Sequence, residues 1–554
     1  MTTAIIESPT GSGKTVWPAC MGTDGTTPSD YGLDHATWRP GQAETLDWLK
    51  RTGMSGSVIA LCRTKNLQAE NYEATYGFDV LYGKANYPCV HSQAPGGATA
   101  GDCRHQDNMY QCKASTRCEY LTQKDICQQS PMVALNYAYY TAARWPRQHP
   151  PSVLFCDEAH QLPSIVLDKA GTTIKHKEWV DWNAWAMRWN AGHPSDKLAF
   201  IPTFPELKPG DGGGMFGGGS NPINEAEEWL VAARLSLRQI WLRLARIAVS
   251  KADLKLKRDC ENLGRKLTAT INALSACPDD WWIKSGQRAQ KFKGAFRPAF
   301  VCRPLTARHH APGYFGFDNG SNRVLMSATI GDFPTFAARL GIQHYQSRTV
   351  PNQWPASSRP IVALDCPPMG AASVRKHPRY PDMQARAVGE LLKEYPGELG
   401  LLHTTSKWKA RNLAKLLGAN GLQDRVWVTP EVGTDKQMAA WHRAKQSRPG
   451  LVAIAWSWWE GVDVGDVRVN VVTQIPWAYL GDSYQMAKMK HDRAAFDQDA
   501  AHAVEQGTGR NRRGEVQHYF TNGNQGNVVA LADGNWQRLE KFYSESFRES
   551  VVSV

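Results

Sequence analysis

The run Glu7-Ser8-Pro9-Thr10-Gly11-Ser12-Gly13-Lys14-Thr15 has the residue types that hold a polyphosphate. Glycines let backbone N–H groups approach the β- and γ-phosphates, Lys14 adds a cation, and the Thr15 hydroxyl reaches a Mg2+ ion. It is a shortened form of the G-x-x-x-x-G-K-S/T loop, and what separates it from a chance match is its place, after a short apolar strand and before a plausible helix. A second group, Asp157-Glu158-Ala159-His160, follows the apolar run Val153–Cys156. Asp157 at a strand end suits Mg2+ held through water, Glu158 is placed to polarise an attacking water, and His160 to report nucleotide state. Such a tetrapeptide alone is also an ordinary acidic surface turn; next to a phosphate loop that alternative recedes. Five of the twelve cysteines crowd between Cys89 and Cys127. In a chain read as cytosolic they point to a metal site rather than to disulfides. An arginine-rich run, Arg510–Arg513, is by itself more often a solvated or phosphate-contacting face.

The elements that position these residues are short and buried. Residues 3–8, Val58–Cys62, Val133–Leu135, Val153–Cys156, Val324–Met326, Gly400–Leu402, Val452–Ala455 and Val469–Val472 read as strands, alternating with helical patterns in the manner of a parallel α/β sheet. Residues 205–221 form a glycine-rich linker or loop tip. Beyond it, Leu230, Ala233, Leu237, Ile240, Trp241, Leu244 and Ile247, and then Leu256, Cys260, Leu263, Leu267, Ile271 and Leu274, recur at spacings of three and four and predict a helical hairpin. A length of 554 residues suggests three or four domains, and a charged fraction of 21% beside 42% hydrophobic residues predicts a globular chain. The net charge of +12 favours a polyanionic partner, nucleic acid being the commonest. With neither a transmembrane run nor a signal peptide in view, a cytoplasmic protein is expected.

Gly-Ser-Gly-Lys-Thr with Asp-Glu-Ala-His resembles the superfamily 2 helicases, and the cysteines between them narrow the resemblance to the XPD/DinG-like iron–sulfur branch. Cys89, Cys103, Cys112 and Cys118 stand where that branch binds a 4Fe-4S cluster, with Cys127 as a spare, and Asn136-Tyr137 resembles its segment before the acidic strand. By ligand softness alone, an Fe–S cluster and Zn2+ suit these thiolates almost equally. Further along, Ser327-Ala328-Thr329 is similar to the family's "SAT" motif, and His403-Thr404-Thr405 occupies the place of motif IV. Trp459-Glu460-Gly461-Val462-Asp463 resembles motif V, and Gln506-Gly507-Thr508-Gly509-Arg510-Asn511-Arg512-Arg513 resembles motif VI, all in the family's order.

The resemblance implies a fold of two RecA-like parallel-sheet motor domains, with an inserted Cys-rich Fe–S domain and an inserted α-helical arch. Motor domain 1 would take residues 1–84, 131–165 and 300–345, the Fe–S domain 85–130, the arch 166–299 and motor domain 2 346–554. ATP and Mg2+ would sit between the motors, with Thr10, Gly11, Ser12, Gly13, Lys14, Thr15, Gln42, Gly461 and Asp463 binding nucleotide. Gln506, Arg510 and Arg513 would complete catalysis with Lys14, Asp157 and Glu158, the arginines as fingers towards the γ-phosphate. Thr64, Asn66, Thr404 and Thr405 would touch single-stranded DNA. The implied activity is an ATP-dependent DNA helicase moving 5′ to 3′ on single-stranded DNA and opening duplex junctions, as a monomer, with replication or repair proteins as possible partners. A DEAH-type RNA helicase and a translocase without unwinding activity are the alternatives. One feature departs from the pattern: Arg39-Pro40-Gly41-Gln42 follows the phosphate loop, whereas the family's Arg-x-x-Gln segment precedes it.

Overall fold

A computed structural model describes the chain except residues 1, 9–15, 23–39, 66, 92–96, 104–111, 113, 144, 206–221, 248–250, 293–294, 317–320, 352–359, 460–463, 466, 510–527 and 554. The first sheet begins with β1 (Thr3–Glu7), β2 (Val58–Cys62), β3 (Asp79–Val80), β4 (Met132–Asn136) and β5 (Val153–Asp157). An insertion carrying β6 (Thr172–Lys175), β7 (Trp281–Phe292) and β8 (Ala295–Pro304) interrupts it, and β9 (Asn322–Ser327) and β10 (Gln346–Thr349) complete it. The order is β10-β1-β9-β5-β2-β4-β3, with every pair parallel. β1, β2 and β5 are buried at every residue, which is why they read as unbroken apolar runs without alternation.

The second sheet holds β11 (Ile361–Ala363), β12 (Gly400–His403), β13 (Val426–Val428), β14 (Val452–Ala455), β15 (Val469–Val472), β16 (Val528–Leu531) and β17 (Val551–Ser553). Its order is β13-β14-β12-β15-β16-β11-β17, again parallel throughout. Two parallel α/β domains are therefore present, as the sequence predicts.

Helices α1 (Pro40–Arg51) and α2 (Glu119–Gln129) belong to the first half of the chain, and α3 (Pro222–Ile247) and α4 (Lys251–Ala276) to the insertion. The predicted stripes face the insertion's core: Leu230, Ala233, Leu237, Ile240 and Leu244 from α3 are fully buried, with Leu267 and Leu274 from α4. The predicted linker at 206–221 lies outside the described residues. Alongside the helices expected there, the insertion contains a three-stranded antiparallel sheet, β6-β8-β7. Three further helices matter below: α5 (Phe333–Arg339), α6 (Ser483–His491) and α7 (Arg493–Thr508). No described helix is long and apolar enough to cross a membrane.

Candidate nucleotide cleft and cysteine-lined cavity

In open parallel sheets ligands bind beyond the carboxyl ends of the strands, and the acidic motif lies there. In register, Glu7 of β1 pairs with Ser327 of β9, and Asp157 of β5 with Met326 of β9, so three neighbouring strands end at one level. The phosphate-loop residues Thr10, Gly11, Ser12, Gly13, Lys14 and Thr15 lie outside the described residues; the loop leaves from β1, where the Ser8 amide donates to the Ser327 carbonyl at 2.8 Å. Asp157 is buried, and its Oδ1 accepts from the Glu158 amide at 2.9 Å. The Tyr72 hydroxyl donates to its Oδ2 at 3.4 Å and the Tyr137 hydroxyl to its carbonyl at 2.5 Å. The Asn-Tyr segment is thus a brace: Asn136 caps the helix of residues 137–142 by accepting from the Tyr139 amide, and Tyr137 holds the strand end. Glu158 has φ 52° and ψ 45°, the one left-handed non-glycine among the described residues. Such a backbone costs on the order of 1–3 kcal/mol and persists where surrounding structure enforces it, typically at functional sites. Here it turns the carboxylate towards Ser327, whose hydroxyl donates to Glu158 Oε2 at 3.3 Å.

From this point a chain of contacts runs into the second sheet domain. His160 Nδ1 lies 2.7 Å from Ser327 Oγ and 3.3 Å from Glu158 Oε2. Its ring meets the His502 ring of α7 edge to face, centroids 5.7 Å apart. Burial, with the charges of His160 and Arg339, pushes His502 down to about 3, so the ring is neutral near pH 7. The nitrogen facing the Ile330 carbonyl at 3.0 Å, Nε2, is therefore the one that carries the proton. Gln506 Nε2 donates to Thr329 Oγ1 at 3.1 Å, and Gln498 Nε2 to the Ile330 carbonyl at 3.3 Å. Arg339 of α5 answers from the first domain, donating to Gln498 Oε1 at 2.8 Å and pairing with Asp499 at 2.5 Å. Burial alone would raise the Asp499 carboxyl, but Arg339 and Lys488 hold it below the usual range. The sequence pointed to Gln506 and His160 but not to His502, Gln498 or Arg339; it placed Ser327 in the SAT motif and Glu7 at the head of the phosphate-loop run without a role of its own. Glu7 accepts from the Ile330 and Gly331 amides at 3.1 and 2.7 Å, and burial raises its carboxyl to about 7.

Gln42, on α1, is buried, and its Nε2 donates to Ser8 Oγ at 3.2 Å. Although its segment follows the phosphate loop in sequence, the fold returns Gln42 to the root of that loop. Its Oε1 is buried and has no hydrogen-bond partner among the described residues. Thr64 is exposed just beyond β2. Thr404 is buried with its hydroxyl 3.4 Å from the Ala455 carbonyl, so this side chain belongs to the core. Thr405 donates to Gln474 Oε1 at 2.7 Å and receives Lys409 Nζ at 3.0 Å. Asn66, Gly461, Asp463, Arg510 and Arg513 lie outside the described residues.

Among the described residues of 84–118 are short helical turns and an isolated bridge, Pro88 to Thr99. Within them Cys89, Cys103, Cys112 and Cys118 line one small cavity with Ala100, Ala114 and Leu121. Cys127 lies apart on the inner face of α2, receiving Gln123 Nε2 at 3.9 Å, and burial pushes its thiol up to about 12. The spare cysteine is thus a core thiol. The four lining thiols fit a soft metal group by donor type. A zinc ion with four thiolates at about 2.3 Å draws their sulfurs to within about 4 Å of one another. No three of these four meet even a 4.8 Å limit. A four-iron cube binds each thiolate at a different corner and so asks for sulfurs set further apart than zinc does. The insertion touches the same region: Arg258 of α4 pairs at 2.8 Å with Asp102, which also accepts from the Thr99 amide and hydroxyl.

No protein-family model matches the chain, and no curated protein does. Solved structures do. An XPD helicase structure superposes with a TM-score of 0.50 at 14% identity, covering 100% of this chain and 96% of that one. An apo XPD structure gives 0.51 at 13%, covering 100% and 97%. The Xpd4 structure from S. tokodaii gives 0.46 at 11%, covering 93% and 100%. At such identities likeness speaks for fold, and over its whole length this chain has the fold of the XPD-like superfamily 2 helicases.

Proposed function

We propose that this chain is an ATP-driven helicase that moves on single-stranded DNA. The observation that carries the reading is the continuous contact from Glu158 through Ser327 and His160 to His502 and Gln506. It ties the water-polarising position of one sheet domain to the motif VI helix of the other. A change at the acidic motif is thereby felt by α7, which is what coupling hydrolysis to domain movement requires. Lys14, Thr15 and Asp157 would hold ATP and Mg2+, the ion neutralising phosphate charge. Glu158 orients the water, while Arg510 and Arg513 approach the γ-phosphate from the second domain. Gln42, its buried carbonyl oxygen without a partner among the described residues, is suited to accept a hydrogen bond from an adenine amino group.

Cys89, Cys103, Cys112 and Cys118 would hold a 4Fe-4S cluster, which supplies a covalent cross-link to a segment with little core of its own. Thr64, Asn66 and Thr405 remain candidates for strand contact; Thr404, buried with its amide and carbonyl bonded to Ala455 and Trp459, does not. The charge of +12 supports a nucleic-acid partner, and the four-cysteine cavity favours the DNA branch over the DEAH-type RNA helicases, which lack it. The direct test is strand displacement on a tailed duplex together with DNA-stimulated phosphate release. Both should be lost in Lys14→Ala. Unchanged stimulated release in that variant overturns the reading, and release without displacement leaves a translocase.

A further inference from the structure

Away from the cleft and the cysteine-lined cavity, three donors of different chemistry meet where the insertion, the first motor and the second motor adjoin. Cys277 and Asp280 flank a single tight helical turn after α4, in which the Asp280 amide reaches the Cys277 carbonyl at 3.3 Å, so both side chains serve one spot. His309 comes from the segment between β8 and β9. One donor atom from each of Cys277, Asp280 and His309 lies within 4.8 Å of the other two. A fourth donor arrives from the last residue of α6: His491 Nε2 stands 2.8 Å from Asp280 Oδ1, while His309 Nε2 stands 2.8 Å from Asp280 Oδ2.

We propose that Cys277, Asp280, His309 and His491 form a site for a divalent transition metal, zinc in the first place. One thiolate, one carboxylate and two imidazoles are the donor types of a four-coordinate zinc centre. Around zinc such donors stand about 3–4 Å apart; Cys277, Asp280 and His309 need close only from within 4.8 Å, whereas His491, which touches Asp280 Oδ1 but stands outside that group of three, must swing further in. Asp280 is buried at the centre, 6% exposed, and Cys277 is half-buried.

The simpler account of this cluster is a buried carboxylate neutralised by its neighbours, including Arg308, whose Nη2 is 3.6 Å from Asp280 Oδ1. One contact resists that account. Arg308 Nε donates to His309 Nε2 at 2.8 Å, which requires a lone pair on that nitrogen, yet the same nitrogen faces the Asp280 oxygen at 2.8 Å. A single Nε2 cannot accept from the guanidinium and donate to the carboxylate. With Arg308, about half exposed, swung aside, that nitrogen can bind a cation shared with the carboxylate, and the Cys277 thiol and the His491 imidazole beside the same carboxylate favour this over a simple hydrogen bond. Binding releases the Cys277 thiol proton to solvent.

The site lies on an interface already in place. At the other end of α6, the Tyr484 hydroxyl donates to the Pro304 carbonyl at 2.8 Å and its ring packs edge-on against Trp282. An ion at the His491 end pins the same helix a second time.

The test is elemental analysis of the full-length chain after exhaustive dialysis, with Co2+ titration read as a difference spectrum against Cys277→Ser. The wild type should retain one zinc ion at this site. Cys277→Ser and His309→Ala should each lose it and abolish the thiolate-to-cobalt charge-transfer band, with iron content and melting curve of the metal-free protein unchanged. His309 is exposed enough that its replacement does not endanger the fold. Zinc content and cobalt spectrum indifferent to both substitutions overturn the proposal. If the four-cysteine cavity itself takes zinc, Cys112→Ser removes that ion and leaves this one, so the two sites are told apart.

Discussion

Glu158 carries the largest share of the proposed chemistry on a single side chain. Positioned general bases contribute about 10²- to 10⁴-fold. Glu158→Gln keeps the size and the left-handed backbone, so the fold should be unchanged while DNA-stimulated phosphate release falls at least about 100-fold. Nucleotide binding, followed with a fluorescent analogue, should persist. Retention of more than a tenth of the rate would remove Glu158 from the mechanism. Glu7 makes a different statement. Its folded carboxyl titrates near 7 against an ordinary 4.5, because burial outweighs the two amides that stabilise the charge. The folded state therefore holds the proton more tightly. The stability this contributes is complete below pH 4.5, declines as pH rises towards 7, and is gone above it, a span on the order of 3 kcal/mol. Denaturant midpoints measured from pH 5 to pH 8 should fall with pH in the wild type. In Glu7→Gln that part of the slope should vanish.

Elements decide which of these residues can speak to one another. α7 looks unremarkable as a sequence, with apolar residues spread around it, because it is buried on several sides. Phe496, Ala500, Ala501 and Val504 are covered, and Gln498 and His502 face the first domain. α5 presents Arg339 to the same seam. Replacing Arg339 by Ala leaves Asp499 with Lys488 at 3.5 Å as its remaining ion pair. Because the Asp499 side chain is 35% exposed, the cost should lie near the low end for broken pairs, about 1–3 kcal/mol. The informative readout is coupling. In Arg339→Ala, basal phosphate release should survive while its stimulation by single-stranded DNA drops severalfold. Equal losses in both would make the pair a stabilising contact only.

At the scale of the whole molecule, the proposed function divides the work between the two sheet domains and the segments inserted into the first. Asp157 and Ser327, proposed at the nucleotide, sit at the ends of β5 and β9, whereas Cys112 belongs to a segment outside both seven-stranded sheets. Cys112→Ser should therefore lose iron and the brown colour of a cluster, keep basal ATP hydrolysis, and fail in strand displacement. Full displacement by an iron-free protein would detach the cavity from unwinding. Arg258, reaching from α4 to Asp102 beside Cys103, ties the insertion to the cysteine-rich segment by an ion pair.

The buried central strands β1, β2, β4, β5, β9, β12, β14 and β15, the helical hairpin, the acidic motif and the four clustered cysteines were legible in the sequence, because each depends on local pattern: buried apolar runs, three-and-four spacing, or residues close along the chain; the short strands such as β3, β10, β11 and β17 were not. The β7–β8 hairpin was not. Its strands, Trp281–Phe292 and Ala295–Pro304, mix lysine, arginine and glycine with aromatics and lack a clean alternation. What only the tertiary structure decided are the long-range meetings: Glu7 with Gly331, His160 with His502, Gln42 with Ser8, Cys277 with His309 and His491. Such pairs join residues from tens to hundreds of positions apart, through strand order and helix docking. Local sequence specifies which elements form; the partners each element finds depend on how two sheets and an insertion bury their faces together.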